Sequence, residues 1–314
     1  MTHPIPLESF CSVLSMEGDE PLAGTAMTAS QYIFISWPKI FWARKQFDSE
    51  LFPETLSKFL QDLQKEKRIF TRLAYRNAND SRKHSQIFIM PDGVTYRNVP
   101  FPDIEGVLRN YFSGIPDQEH QRTFTNGSYI FCCTHGKRDN CCAKFGQSVL
   151  YELERESVER GIDLQVWECT HIGADRFAAI AVVFPQCFMY GRLRADNIRH
   201  VMDYLTKGYP YPPCYRGRLG LDTIAQTAEA FGHFHWFQNG LENAAVTVDS
   251  AEQISPDISQ AYVTISDKSS GRVYAKFALQ LTKQLFPTYR DCDGVAAGEL
   301  KKASRWVVSE SRVI

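Results

Sequence analysis

Apolar residues in the first third of the chain switch between strand-like and helix-like spacing. In the first helical stretch, Leu56, Phe59, Leu60 and Leu63 share one face, and Pro53 stands at its start. The β-rich runs around it have the apolar and aromatic composition of strands. The predicted order is β-α-β-β-α, with elements at 31–36, 53–65, 68–75, 86–90 and 103–112.

The same order of patterns returns in the middle of the chain. A β-run ending in two cysteines precedes a long helical stretch, in which Val149, Leu150, Leu153 and Val158 are predicted to face inward. Two strand-like runs, a hairpin and a further helix follow. The elements are predicted at 128–133, 141–160, 164–169, 178–184 and 195–206. This order is the thioredoxin-type topology, so the chain is predicted to be an α/β (α+β) protein built of two thioredoxin-like halves.

The segment 207–218 is rich in proline and glycine and marks a boundary. Beyond it the pattern predicts a helix over 220–237 and three strands, at 243–249, 260–266 and 272–277. We therefore expect three parts: a first half without ligands, a second half that carries the chemistry, and an α+β extension. Their predicted ranges are 1–125, 126–208 and 209–314.

Composition narrows the class of protein. Hydrophobic residues make up 44% of the 314 positions and charged residues 23%, as in ordinary globular proteins. The formal net charge of −1 disfavours general binding to nucleic acid or membranes, which needs a basic surface. No apolar run reaches the length of a membrane span. The first residues lack the basic start and apolar centre of a signal peptide, so a cytoplasmic location is expected.

Nine cysteines are present, and four of them fall between positions 132 and 142. An odd number, clustered in this way, is not typical of a disulfide framework. No Cys-x-x-Cys spacing occurs, which disfavours a thioredoxin-like thiol exchange site. The cluster instead indicates a metal or redox loop.

Two short stretches carry the candidate chemistry. One runs from Cys133 to Cys142, between a predicted strand and a predicted helix, and the other runs from 167 to 177 and contains His171. In a thioredoxin-like fold both loops lie at one end of the sheet, so their ligands converge. Cys142 falls in the first helical turn, where the helix dipole favours a thiolate. Three positive side chains could offset the negative charge of a metal cluster bound there: Lys137, Arg138 and Arg176.

At these positions the chain resembles the sucrase/ferredoxin-like family, whose cluster-binding members carry a thioredoxin-like ferredoxin domain. That family has Cys-x-His-Gly-x-Arg-Asp-x-x-Cys followed by His-x-Gly-Gly-His-[Lys/Arg]-Phe-Ala. The first motif matches Cys133, His135, Gly136, Arg138, Asp139 and Cys142. The second matches His171, Gly173, Ala174, Asp175, Arg176, Phe177 and Ala178. The resemblance implies a [2Fe–2S] cluster, in which imidazole can replace thiolate on one iron.

One position departs from the family pattern. Asp175 stands where the bis-histidine members have their second histidine. A carboxylate is a harder and weaker ligand for iron than thiolate or imidazole. Asp175 keeps the family spacing and is the favoured fourth ligand, beside Cys133, Cys142 and His171. Cys141 and Cys169 are alternatives, and Cys169 shares a strand face with His171.

Neighbouring residues have supporting roles in this interpretation. His135 either caps the loop through the backbone or donates a hydrogen bond to a cluster sulfur. Asp139 is predicted to be the N-cap of the following helix. Arg176 is predicted to pair with Asp175 or with Asp139. Trp37, Phe41 and Trp42 are predicted to pack in the core or between the halves.

The favoured function is electron transfer to an unidentified partner protein, rather than catalysis. Two alternatives remain: a thiol-based oxidoreductase, and a cluster-free or zinc-binding interaction module that uses Cys133, Cys142, His171 and either Cys169 or Asp175. The sequence does not name the electron donor, the electron acceptor or the oligomeric state.

Overall fold

A computed structural model describes residues 10–77, 81–115, 122–124, 127–241 and 243–314. The N-terminal residues 1–9, on which the expectation about a signal peptide rests, lie outside the described residues. No helix within these ranges is long and apolar enough to cross a membrane.

The helices are α1 Cys11–Glu17, α2 Glu54–Lys67, α3 Ile104–Phe112, α4 Asn140–Glu159, α5 Ile198–Leu205, α6 Thr223–Gln238 and α7 Cys292–Ala296. The strands of the first half are β1 Gln31–Ser36, β2 Ile69–Tyr75, β3 His84–Met90, β4 Val94–Pro100 and β5 Arg122–Phe124. Those that follow are β6 Ser128–Cys133, β7 Leu164–Cys169, β8 Ala181–Phe184, β9 Phe188–Tyr190 and β10 Tyr215–Arg218. The last four are β11 Ala244–Ser255, β12 Ile258–Asp267, β13 Val273–Thr288 and β14 Lys301–Val313.

The described residues divide into two compact units. The first, here called the central unit, comprises residues 29–173 and 178–187. The second, the terminal unit, comprises residues 10–28, 174–177 and 188–314. The predicted division of the chain into three parts at 125 and 208 stays a prediction.

The central unit contains a sheet in the order β8-β6-β7-β2-β1-β3-β4-β5. Strand β1 pairs in parallel with β2 and antiparallel with β3, which is the thioredoxin-type arrangement. Strand β6 repeats it, with β7 parallel and β8 antiparallel. The two sets meet where β2 pairs antiparallel with β7. The predicted α/β class and the two thioredoxin-like halves are therefore confirmed. Each half has one strand more than the predicted β-α-β-β-α order, β4 before α3 and β9 before α5.

The predicted inward faces of the helices are largely correct. Leu56, Leu60 and Leu63 of α2 are buried in a hydrophobic cluster that also contains Trp37 and Trp42. Phe59 is partly buried and packs against this cluster. In α4, Val149, Leu150 and Leu153 are also buried. The prediction for Val158 is wrong, because its side chain is 82% exposed. Five residues after Leu153, at 100° per residue, it has rotated away from the buried face.

The terminal unit contains a second, antiparallel sheet in the order β11-β12-β13-β14. The predicted helix appears as α6 and packs closely on this sheet. A Cβ on Gly232 of α6 would lie 2.5 Å from Val246 Cγ1 and 2.9 Å from Val263 Cγ1, so only glycine permits this approach. The three predicted strands appear as β11, β12 and β13, while β14 was not predicted.

Candidate metal centre

The first loop of the candidate site joins β6 to α4. Strand β6 ends at Cys133, and α4 begins at Asn140. The carboxylate of Asp139 accepts a hydrogen bond from the backbone N–H of Cys141 at 2.8 Å, which makes it the N-cap. The N-cap prediction is confirmed. This cap fixes the start of α4 and thereby places Cys142 in the first helical turn.

A glycine lets α4 approach β6 closely. A Cβ on Gly146 would lie 2.2 Å from the carbonyl oxygen of Cys133 and 3.3 Å from Cα of Thr134. The thiol of Cys132 lies 3.8 Å from the carbonyl oxygen of Gly146 on the same side. The distance between Cys133 on the strand and Cys142 on the helix therefore depends on the absence of a side chain at position 146.

We expect Gly146→Ala to destabilise the protein by about 2 kcal/mol, because helix and strand must separate to admit the methyl group. Binding of a metal by Cys133 and Cys142 should weaken as well, since the two cysteines move apart. Equilibrium denaturation and metal analysis of the purified variant measure both effects. Gly106→Ala in α3 is the matched control, because no atom lies within 4 Å of its Cβ. A Gly146→Ala protein as stable and as metal-rich as wild type would show that this contact is unimportant.

The second loop follows β7, the parallel neighbour of β6. Cys133 and Cys169 are partners in the register of these two strands. The backbone N–H of Thr134 donates to the carbonyl oxygen of Cys169 at 3.3 Å, which extends the pairing past the strand end. His171, two residues beyond β7, is thereby brought beside Cys133.

Ligand atoms of Cys133, Cys142 and His171 all lie within 4.8 Å of one another. Both cysteines are fully buried, and His171 is half-buried. Two thiols and one imidazole from separate loops thus converge on one point. The donor types are those that bind iron in iron–sulfur centres with mixed ligands, and those that bind zinc.

Hydrogen bonds stabilise the thiolate form of Cys133. The largest effect is the hydrogen bond with the Cys142 side chain, which outweighs the opposing effect of burial. His171 adds a hydrogen bond and a favourable charge, and the backbone of His135 adds another hydrogen bond. Together they lower the pKa of Cys133 to about 6. The thiolate is the metal-binding form of cysteine, so the loop geometry favours ligation.

His135 joins three segments through its imidazole ring. Its Nδ1 lies 3.4 Å from the backbone nitrogen of His171, and its Nε2 lies 3.0 Å from the carbonyl oxygen of Ala43. An imidazole that accepts a hydrogen bond at Nδ1 and donates one at Nε2 is neutral. The Trp42 ring packs edge-on against it, with centroids 5.7 Å apart. His135 therefore holds the backbone of His171 against the loop that follows β1.

A polar cluster lies beside the ligand loops. Glu168 accepts hydrogen bonds from Thr134 Oγ1 at 2.5 Å and from Gln147 Nε2 at 3.0 Å, and it pairs with Lys39. Lys39 thus brings a positive charge from the first half to Glu168, the neighbour of Cys169. No local pattern indicates this cluster, because Glu168 is 21 to 129 residues away from the three side chains that it contacts.

The remaining predicted site residues are not part of the group of three. Cys169 is fully buried, and burial, with the nearby charge of Cys133, raises its pKa well above the ordinary value. Cys141 is also fully buried. Asp175 is 2% exposed, begins a short 3-10 helix and belongs to the terminal unit.

The structure also shows where the two arginines of the candidate motifs lie. Arg138 lies in the turn before α4, where its backbone N–H donates to the carbonyl oxygen of His135 at 2.9 Å. Arg176 donates from Nε to both carboxylate oxygens of Glu20, at 2.9 Å and 3.1 Å. Arg176 thus pairs with Glu20, a residue outside both candidate motifs.

Comparison with known proteins gives a family match. The family model described as sucrase/ferredoxin-like matches residues 22–217. Among curated proteins, the altered inheritance of mitochondria protein 32 of Debaryomyces hansenii is 26% identical over 29% of this chain and 35% of its own length. Its counterpart from Clavispora lusitaniae is 22% identical over 44% of this chain and 60% of its own length. The alignments therefore span less than two thirds of either relative.

Solved structures of the thioredoxin-like [2Fe–2S] ferredoxin from Aquifex aeolicus also match. The wild-type structure is 13% identical, with a TM-score of 0.27, and the match covers 30% of this chain and 100% of that one. A second structure gives 13% identity and a TM-score of 0.28, over 30% of this chain and 94% of that one.

Proposed function

The chain belongs to the sucrase/ferredoxin-like family, and on this basis we propose that it binds a [2Fe–2S] cluster and transfers electrons to a partner protein. One observation carries the proposal: the ligand atoms of Cys133, Cys142 and His171 lie within 4.8 Å of one another. A bound cluster would supply one-electron chemistry. The chain would supply two thiolates, one imidazole and the buried loops that hold them.

The burial of the two thiols favours metal binding over thiol exchange. Cys133 and Cys142 are both 0% exposed. A cysteine that attacks a disulfide must be reached by its partner, so exchange sites are partly exposed. A thiolate enclosed among hydrogen-bond donors is suited to hold a cation instead.

Anaerobic purification followed by absorption and electron paramagnetic resonance spectroscopy tests the proposal. We expect a red-brown protein with about two irons and two acid-labile sulfides per chain. A resonance signal should appear on reduction with dithionite. A colourless protein without sulfide would refute the cluster.

A single metal ion is the second candidate, and the closeness of the three ligand atoms favours it. Zinc binds tetrahedrally to cysteine and histidine, and three such ligands leave one position for a fourth. Elemental analysis separates the two candidates, because a stoichiometric zinc content without iron or sulfide identifies the mononuclear site.

We propose Asp175 as the fourth cluster ligand, on the strength of the three residues that separate it from His171 in the family motif. Asp175→Ala should lower the iron content and change the absorption spectrum, because one protein–iron bond is lost. Asp175→His should retain the cluster. Asp163→Ala, at an exposed aspartate, is the control. An unchanged spectrum in Asp175→Ala would redirect the assignment to Cys141 or Cys169, each testable as a serine variant.

A further inference from the structure

A polar cavity of about 590 Å³ opens on the central unit, apart from the three ligand side chains. Its walls come from strands of both halves: Ser36 ends β1, Arg76 follows β2, Arg97 lies on β4 and Trp167 lies on β7. The volume falls within the range of small-molecule sites. Most of the lining is polar, so the cavity suits a hydrophilic ligand.

Basic groups outnumber acidic ones around this cavity. Arg76, Arg97 and His84 line it, against the single carboxylate of Asp163. The side chain of Arg97 is exposed and has no hydrogen-bond or ion-pair partner among the described residues. Arg76 donates to Gln165 Oε1, an uncharged acceptor. Neither guanidinium group forms an ion pair with a carboxylate among the described side chains, although the charge of Arg76 also acts on the carboxylate of Glu154. Both groups therefore keep N–H donors for an anion, because Arg presents paired N–H donors to phosphate or carboxylate oxygens.

Trp167, which also lines this cavity, carries a buried hydrogen-bond donor. The residue is 2% exposed, and its indole N–H has no acceptor among the described residues. Its ring is fixed edge-on against Phe88, with centroids 5.0 Å apart. A buried donor without an acceptor costs free energy, and an acceptor oxygen brought by a ligand removes that cost.

We propose that this cavity binds a small anionic metabolite through its phosphate or carboxylate oxygens. Arg76 and Arg97, which both line the cavity, hold the anionic group. Trp167 forms the apolar wall and offers its N–H to an acceptor atom of the ligand. The inference is independent of the cluster, since none of the residues that carry it is a proposed metal ligand.

Isothermal titration of the full chain with inorganic pyrophosphate, and separately with citrate, tests the proposal. We expect saturable binding of at least one anion. Arg76→Gln and Arg97→Gln should each weaken it about tenfold, because each removes a charged hydrogen-bond donor. Trp167→Phe keeps the aromatic wall and removes the N–H. It should weaken binding about fivefold.

Arg109→Gln is the matched control, because Arg109 is an exposed arginine on α3 that pairs with Glu105. The Arg109→Gln protein should bind each anion as tightly as the wild-type protein does. Binding of pyrophosphate alone identifies a phosphate ligand, and binding of citrate alone identifies a carboxylate ligand. The proposal is overturned if neither anion binds at about 1 mM, or if both arginine variants bind as tightly as Arg109→Gln.

Discussion

Replacing Cys133 or Cys142 with serine is expected to reduce the iron and sulfide content of this protein to background. Each thiol supplies one of the three ligand atoms that converge within 4.8 Å. A serine hydroxyl has nearly the same shape, but it is not deprotonated at neutral pH and binds iron weakly. The fold should survive, because the change removes little packing volume. Metal analysis and absorption spectra of anaerobically purified variants measure the loss.

Cys141→Ser is the matched control for this experiment. Cys141 is equally buried and directly precedes Cys142, yet it is not a member of the group of three. The variant should keep most of the cluster. If Cys141 proved essential and Cys142 dispensable, the assignment of the first motif would be wrong by one residue. Circular dichroism of all three variants shows whether a loss of metal reflects the ligand or the fold.

The doubled fold could be predicted because each of its elements has a strong local pattern. Runs such as 31–36 and 128–133 are continuous and apolar, as expected for strands buried on both faces. In α2 and in α4, the apolar residues recur at the spacing of one helical face. The predicted boundaries of α2 and α4 differ from the observed ones by one or two residues, because helix ends fray and caps decide them.

Strand β14 was missed because its sequence gives no such signal. Only Trp306 is buried among its thirteen residues, and most of the others are exposed and polar. Its position depends on backbone pairing with β13 over the full length of the strand. A strand stabilised mainly by its neighbour's hydrogen bonds cannot be recognised from hydrophobic periodicity.

The ligands were predictable from the two motifs, whereas the contacts that position them were not. Cys133, Cys142 and His171 fall in motifs with fixed spacing. The hydrogen bond from His135 to Ala43 spans 92 residues, and nothing in the local sequence near Ala43 indicates it. Such contacts follow from the pairing of the halves, which brings the loop after β1 over the second half's loops.

The buried carboxylate of Glu20 is the second place where a single substitution should have a large effect. Glu20 is 0% exposed and contacts four side chains of the terminal unit. Arg176 Nε lies 2.9 Å from one carboxylate oxygen, and Arg305 Nη2 lies 2.5 Å from the other. Thr288 and Ser15 donate hydroxyl hydrogen bonds at 2.9 Å and 3.1 Å. One carboxylate thus holds together segments more than 260 residues apart.

Glu20→Gln should lower the free energy of unfolding by about 3–5 kcal/mol near neutral pH, the usual cost of removing one partner from a buried ion pair. The glutamine amide has nearly the same shape as the carboxylate of Glu20, so the loss of stability reflects the lost charge. Both arginines would remain largely buried without a counter-ion. Glu17→Gln, at an exposed glutamate on α1, should change stability by less than about 0.5 kcal/mol. Urea denaturation of the three proteins provides the comparison.

The effect of Glu20→Gln should depend on pH in a defined direction. Burial alone raises the pKa of Glu20, but the hydrogen bond and charge of Arg176, with the charge of Arg305, outweigh it and hold the pKa below its ordinary value. A lowered pKa stabilises the folded state above the unfolded value of about 4.3, and this contribution is lost as pH falls through the folded-state pKa. The gap in unfolding free energy between wild type and Glu20→Gln should therefore be widest near neutral pH and narrow below about pH 4. A gap that is small at neutral pH, or that stays constant into acid, would show that Glu20 does not bind these arginines as an ionised carboxylate.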